Sequence, residues 1–250
     1  MSQKTRGLGT NLLKRLTLLL GLVLCGCQPS TSPELPRTGE WVQYEPPNRG
    51  APGETSDLGS RPLCRRAATP FTSISPSTNW GETLESHPTF WLYLPYQASS
   101  VRLILRDEPT QEELYRTTFA VSGRDGVARF RLPETAPPLE VDRLYNWQFD
   151  FICDSENRSR FRVRGLVVRR ALSEELQTQL REAAAQERVA LLAEQGFWYD
   201  ALTGLAELRL TAPDPILDAG WAVLLGHASV GLEDLAEKPL LDCCTEEGEP

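Results

Sequence analysis

The sequence predicts a mainly β body followed by a C-terminal α-helical module, and three observations carry that reading. Between residues 67 and 169, short runs alternate apolar with polar side chains and are separated by turn residues, which is the pattern of antiparallel strands. After Arg170 the period lengthens to about 3.6 and the composition turns to Ala, Leu, Glu and Gln, as amphipathic helices require. The chain of 250 residues is 40% apolar and 24% charged, with 18 Gly, so it can bury a sizeable core and is neither disordered nor a fibrous repeat.

The first element is an address. Lys4, Arg6, Lys14 and Arg15 form a basic region ahead of Leu16 to Leu24, an apolar run of nine residues. Nine residues at ~1.5 Å each do not cross a hydrocarbon core of about 30 Å, so the run reads as the core of an export signal. It ends in Leu24-Cys25-Gly26-Cys27, which resembles the bacterial lipobox, with Cys25 in place of the more usual Ala or Ser. The resemblance implies acylation of Cys27, cleavage before it, and a periplasm-facing chain anchored in the envelope. Gln28, rather than Asp, follows Cys27 and favours the outer over the inner membrane. An ordinary secretory signal or an accidental apolar run are the alternatives. Loss of residues 1–26 removes four basic residues and no acidic ones, leaving 22 Lys and Arg against 34 Asp and Glu. So acidic a body excludes nucleic acid as a partner. It would also be repelled by anionic headgroups, so attachment would rest on the acyl chains.

Residues 27–66 read as a tether and strap dense in Pro, Gly and Ser, interrupted by Trp41 and Tyr44, which could add an edge strand or simply adhere to the body. Strands are expected at 69–74, 89–96, 101–106, 113–121, 127–132, 145–153 and 161–169, within a sandwich spanning 67–170. The run Tyr145, Trp147, Phe149, Phe151, Cys153 places large side chains on one face and Asn146, Gln148 and Asp150 on the other. Asp125-Gly126 suits a tight hairpin that needs positive φ. Leu139, Tyr145 and Trp147 resemble the tyrosine corner of immunoglobulin and fibronectin type III sandwiches, in which the Tyr hydroxyl bonds back to upstream backbone. The resemblance implies an antiparallel β-sandwich of that kind.

The helical module is expected over 171–242. Ser173 caps a helix of some twenty residues that stops at Gly196, a second helix follows from Trp198 to about Leu208, and a third starts at Asp214 with Pro215 in its first turn. A short one spans about 232–237. Gly196-Phe-Trp-Tyr-Asp-Ala201 and Gly231-Leu-Glu-Asp-Leu-Ala236 align at a spacing of 35, which resembles tetratricopeptide repeats. Unrelated helices covering a sheet face are the alternative. Residues 243–250 form an acidic tail.

Chemistry is sparse. The two histidines, His87 before Pro88 and His227 in Gly226-His-Ala-Ser229-Val-Gly231, lie outside any nucleophile elbow, and phosphate-loop, dinucleotide and zinc motifs are missing. No cofactor, metal or catalytic residue is therefore assigned, and the chain is expected not to be an enzyme. Trp91, Tyr93, Tyr96, Trp198 and Tyr199 are the aromatic side chains that could form an interaction surface, unless the helices cover the outer sheet face. Arg158, Arg160, Arg162, Arg164, Arg169 and Arg170 place cations along one strand face, as edge protection or as an anion contact. Four cysteines remain besides Cys25 and Cys27, and three pairings of them are open. Cys64 with Cys153 is favoured, because the adjacent Cys243 and Cys244 would close a strained ring and Cys153 ends a strand. Free buried thiols are the alternative, and Cys243 and Cys244 take no assigned role.

Ser60-Arg61 before Cys64, the run from Pro88 to Tyr96 (PTFWLYLPY), Tyr145-x-Trp147 with Cys153-Asp154, and Trp198-Tyr199-Asp200-Ala201-Leu202 together resemble a mostly cyanobacterial family known as domain of unknown function 928. The resemblance runs from about residue 45 to 242. It implies an exported protein, supplies no activity, and adds weight to the Cys64–Cys153 pairing because both residues lie in its motifs. The function expected is a lipid-anchored, non-catalytic interaction or scaffold module for an envelope protein partner. The alternatives are a carbohydrate or peptidoglycan binder and a carboxylate-dependent hydrolase. The first predicts an apolar patch on the helices, the second an exposed aromatic platform, and the third two convergent carboxylates with perturbed pKa values.

Overall fold

Period-two alternation becomes strand almost wherever it occurs. A computed structural model describes residues 41–48, 56–57, 67–96, 100–121, 125–153, 160–241 and 244–246. Its strands are β1 Ser56–Asp57, β2 Phe71–Ser73, β3 Trp80–Thr83, β4 Thr89–Leu94, β5 Ser100–Asp107, β6 Glu113–Ala120, β7 Gly126–Arg131, β8 Leu144–Ile152 and β9 Arg160–Arg169. Four helices come next: α1 Glu174–Glu182, α2 Ala185–Glu194, α3 Trp198–Thr211 and α4 Pro215–Leu225. The chain then passes through a 3₁₀ turn, Glu233–Leu235, to β10 Leu240–Leu241 and β11 Thr245–Glu246.

The strands form two sheets, ordered β1-β2-β4-β7-β10 and β11-β6-β5-β8-β9-β3. Rings from both meet between them: Phe71 of the first sheet lies 5.2 Å from Phe151 of the second, Phe90 lies 5.6 Å from Phe149, and Phe130 lies 5.2 Å from Phe119. The expectation of a purely antiparallel arrangement is corrected, because β3 runs parallel to β9 and β10 parallel to β7. Neither strand reaches its partner through a hairpin; each arrives by a long connection, which is what parallel pairing needs. Asn79, with φ 53°, turns the chain into β3, and its carbonyl accepts the Leu166 N–H at 2.7 Å. The backbone N–H of Glu140 donates to the Tyr145 hydroxyl oxygen at 2.9 Å, so that tyrosine does bond back to upstream backbone.

The long first helix expected after Ser173 is two helices. Ser173 caps α1 by accepting the Leu176 N–H at 3.2 Å, but the chain is extended at Ala183 and Ala184 before α2 begins. Leu176 is the buried side chain of α1, so little packing holds that helix in line, and the break lets Val189 and Ala193 of α2 enter the core. The echo between Gly196 and Gly231 holds in the backbone, where both have positive φ, 80° and 67°. It fails in the downstream elements, since the first glycine precedes a helix of 14 residues and the second a 3₁₀ turn of three.

Trp41 and Tyr44 add no strand; their segment lies across the helices. Trp41 Nε1 donates to the Ile216 carbonyl at 3.1 Å with its ring against Gly220, where even a methyl would collide with it. Tyr44 is buried, its ring 4.9 Å from that of Trp198 and 5.8 Å from that of His227. Strap, sheets and helices share one hydrophobic core.

Candidate functional site

The first turn of α3 reaches both sheets. Trp198 is fully buried and its Nε1 donates to the Ile74 carbonyl at 3.0 Å, just past β2. Tyr199 is 2% exposed; its hydroxyl accepts from Trp147 Nε1 of β8 at 2.8 Å and donates to the Leu166 carbonyl of β9 at 3.3 Å. One turn on, Thr203 Oγ1 accepts from Trp91 Nε1 of β4 at 3.1 Å. Two glycines admit these rings: a Cβ on Gly81 would strike Tyr199, and one on Gly165 would strike Trp147.

The interaction surface expected from the aromatic residues is thereby corrected. Trp91, Tyr93, Trp198 and Tyr199 are all buried, and Tyr96, partly buried, sets its edge against Phe151 at 5.2 Å. Large rings gain most from burial when their N–H or O–H groups find partners, and three of these rings do so across the junction of helices and sheets.

Beside this junction opens a cleft of about 700 Å³, walled by the loop after β3 and by α1 to α3. Asp200 stands in its wall. Both carboxylate oxygens accept the Leu84 N–H at 3.2 Å, and the Thr83 hydroxyl bonds to the same carboxyl. Burial pushes the Asp200 carboxyl up to about 7, and the charge of Glu85 adds to the effect, against the lowering by these hydrogen bonds. Leu172, Leu180 and Leu192 add apolar side chains to the lining, and Arg188 supplies a cation.

Arg169, Arg170 and His87, which also line the cleft, are committed to structure. Arg169 donates to the carbonyls of Leu84 and Leu139 at 3.2 and 3.1 Å, and Arg170 to Glu82 and Asp142 at 2.6 and 2.7 Å. His87 places Nε2 3.1 Å from the Ala136 carbonyl and Nδ1 3.1 Å from Ser86 Oγ. His227 Nδ1 and Ser229 Oγ are 2.7 Å apart, within a tight turn where the Ser229 N–H also donates to that nitrogen at 3.3 Å. The cleft thus offers one carboxyl that burial pushes up to about 7, among polar and apolar lining residues. Asp200 carries no local signal of this role, although it sits in the Trp198-Tyr199-Asp200 motif, because its partner Leu84 lies 116 residues away.

A second feature lies on α4. Leu217, Trp221, Leu224 and Leu225 face inward, while Ile216 and Val223 are 45% and 38% exposed, with Ala222 exposed beside them. Leu210, near the end of α3, is 41% exposed, and Arg209 ties the two helices through Asp218 at 2.9 Å. Aliphatic side chains exposed on the outer side of a helix whose inner side is already buried form a surface that another chain could cover. Cys153 is partly buried at the end of β8, whereas Cys27, Cys64, Cys243 and Arg158 lie outside the described residues.

The fold and these two features define a class: a two-sheet β body with a helical module packed on it, carrying a cleft with a buried carboxyl in its wall and an apolar helix face. Residues 56–240 match the family described as Domain of Unknown Function (DUF928), and the chain belongs to that family. No curated protein matches it.

Proposed function

We propose that the protein is a non-catalytic interaction module, exported and anchored by an acylated Cys27 in the envelope, and that the outer face of α4 takes an amphipathic helix of an envelope protein partner. The observation that carries this reading is the exposed apolar row of Ile216 and Val223, two turns apart on one side of α4, on the module where protein capture predicts it. A helix laid along α4 would bury this row as α4 buries its own inner side chains in the core. The aromatic platform that glycan binding requires has no counterpart at Trp91, Tyr93, Trp198 or Tyr199, which are buried. The immunoglobulin and fibronectin likeness of the sheets, the tetratricopeptide likeness of the helices, and the Cys64–Cys153 cross-link belong to the same proposal.

Cross-linking in intact cells tests it, comparing wild type with Ile216→Glu/Val223→Glu and with Cys27→Ala. A defined partner, cross-linked through α4 and lost from the double variant while the protein stays processed and membrane-bound, supports the reading. Only background from processed wild-type protein sinks it. Release of Cys27→Ala from the membrane fraction supports the anchor, and continued retention of that variant removes it.

The raised Asp200 carboxyl favours a second reading, a hydrolase that uses it as general acid. That reading needs a second perturbed carboxylate in the cleft. It fails if Asp200→Asn leaves every hydrolysis detectable with wild type unchanged.

A further inference from the structure

The acidic balance of the chain is not spread evenly, and the outer face of the second sheet has the opposite sign. Alternation turns Val101, Leu103, Leu105, Phe149, Phe151, Phe161 and Val163 into the core, so their neighbours in sequence point outward. Those neighbours include Arg102 and Arg106 on β5 and Arg160, Arg162 and Arg164 on β9, and strand register sets Arg116 of β6 on the same face. Strand register joins them into rows: Arg102 stands opposite Thr118 and Asp150, Asp150 opposite Arg162, Gln148 opposite Arg164, and Ile104 opposite Arg116.

Among the described residues, two acids answer these six cations. Asp150, which is buried, takes Arg162 at 2.7 Å and Arg160 at 3.4 Å, and Glu113 takes Arg116 at 2.6 Å and Arg106 at 3.7 Å. Arg102 and Arg164 have no ion-pair partner among the described residues. Among the described residues the face therefore carries four net positive charges, in a chain whose formal net charge is −8. The helices pack against β3 and β4, away from it, and Arg116, Arg160 and Arg164 are exposed.

We infer that this face docks the body onto a membrane surface rich in anionic phospholipid. The cations lie on three of four adjacent strands, β6, β5 and β9, about 14 Å across at ~4.8 Å per strand, rather than converged on one point. Such a spread does not enclose a single small anion. It matches a plane of laterally mobile phosphates, each of which a guanidinium can take in a bidentate grip. The repulsion expected from total charge applies to the rest of the body and leaves this side attractive, so the molecule would be oriented as well as held. The inference goes beyond the interaction reading and does not depend on the acyl anchor.

Vesicle sedimentation of the full chain carrying Cys27→Ser, which cannot be acylated, tests the face through charge variants that all share the same basic and apolar amino terminus. Vesicles of phosphatidylglycerol mixed equally with phosphatidylcholine are compared with pure phosphatidylcholine. The expected result is binding to the mixed vesicles only, weakening as salt rises, with a fall of about tenfold or more in Arg102→Gln/Arg164→Gln. Arg181→Gln/Arg188→Gln, which removes the same charge from α1 and α2, should change binding far less. Unchanged melting temperatures show that both variants fold. Equal losses in the two variants, binding that ignores phosphatidylglycerol, or binding to soluble polyglutamate without binding to vesicles would each overturn the inference. None of these outcomes bears on partner capture by α4, which is read by cross-linking.

Discussion

The start of α3 and the outer side of α4 are both rich in apolar residues, and the fold uses them in opposite ways. Trp198 and Tyr199 are sunk into the body with N–H and O–H groups bonded to Ile74, Trp147 and Leu166. Ile216 and Val223, a few turns further along the chain, stand 45% and 38% exposed with no polar handle at all. Large rings with one polar atom reward a fixed, dry partner, whereas aliphatic side chains on a surface helix commit to nothing specific until another surface covers them. The aromatic motif is thus a structural bolt, and the plainer α4 is the better place to look for a partner.

Breaking the bolt should have the largest effect. Trp198→Ala removes a fully buried ring and should destabilise the protein by about 3–5 kcal/mol, measured by urea unfolding. Gly81→Ala forces Tyr199 aside and should lower stability by about 1–3 kcal/mol, with Gly165→Ala acting likewise through Trp147. If either glycine variant is as stable as wild type, the close approach of ring to backbone is not a constraint on the fold. Tyr199→Phe keeps the ring but strands Trp147 Nε1 without its acceptor, and should lower stability by about 1–2 kcal/mol.

Asp200 sharpens the comparison because it belongs to the bolt and also faces the cleft. Its folded pKa of about 7 lies above the ordinary carboxylate value. Its contribution to stability is therefore fully present below the unfolded pKa near 4 and is lost as pH rises through 7. Asp200→Asn should remove that slope, gaining on wild type by about 1–2 kcal/mol between pH 4 and pH 8, after discounting for the partial exposure of the carboxyl. Urea unfolding at both pH values checks the sign. A variant that gains nothing on wild type as pH rises would mean that the Leu84 and Thr83 hydrogen bonds outweigh burial.

How legible each feature is in the sequence depends on how local it is. The alternation of residues 145–153 becomes β8, Leu144–Ile152, almost residue for residue, since period two needs no information from elsewhere in the chain. Trp80–Thr83 has no such alternation and is a strand because β9 pairs with it, so its own residues give no sign of it. The aromatic runs stand out in the sequence, but their fate does not, because only α3 lying over the sheet ends decides which rings stay dry. The Arg series along β9 is visible in the same way, whereas Arg102 and Arg116 join it only through strand register.

The smallest effect on stability should come from α4. Ile216→Glu/Val223→Glu puts two charges on positions already facing water, so unfolding free energy should change by less than about 0.5 kcal/mol per site. The same pair at Leu217 and Leu224, one residue along and buried at 6% and 1% exposure, should unfold the chain, because an unpaired charge cannot be sheltered in the core. Thermal melting of the two double variants side by side tests the division of α4 into an inner and an outer side. A large loss from the outer pair would show that this face is already packed against some part of the chain, and the surface proposed for a partner helix would then be occupied from within.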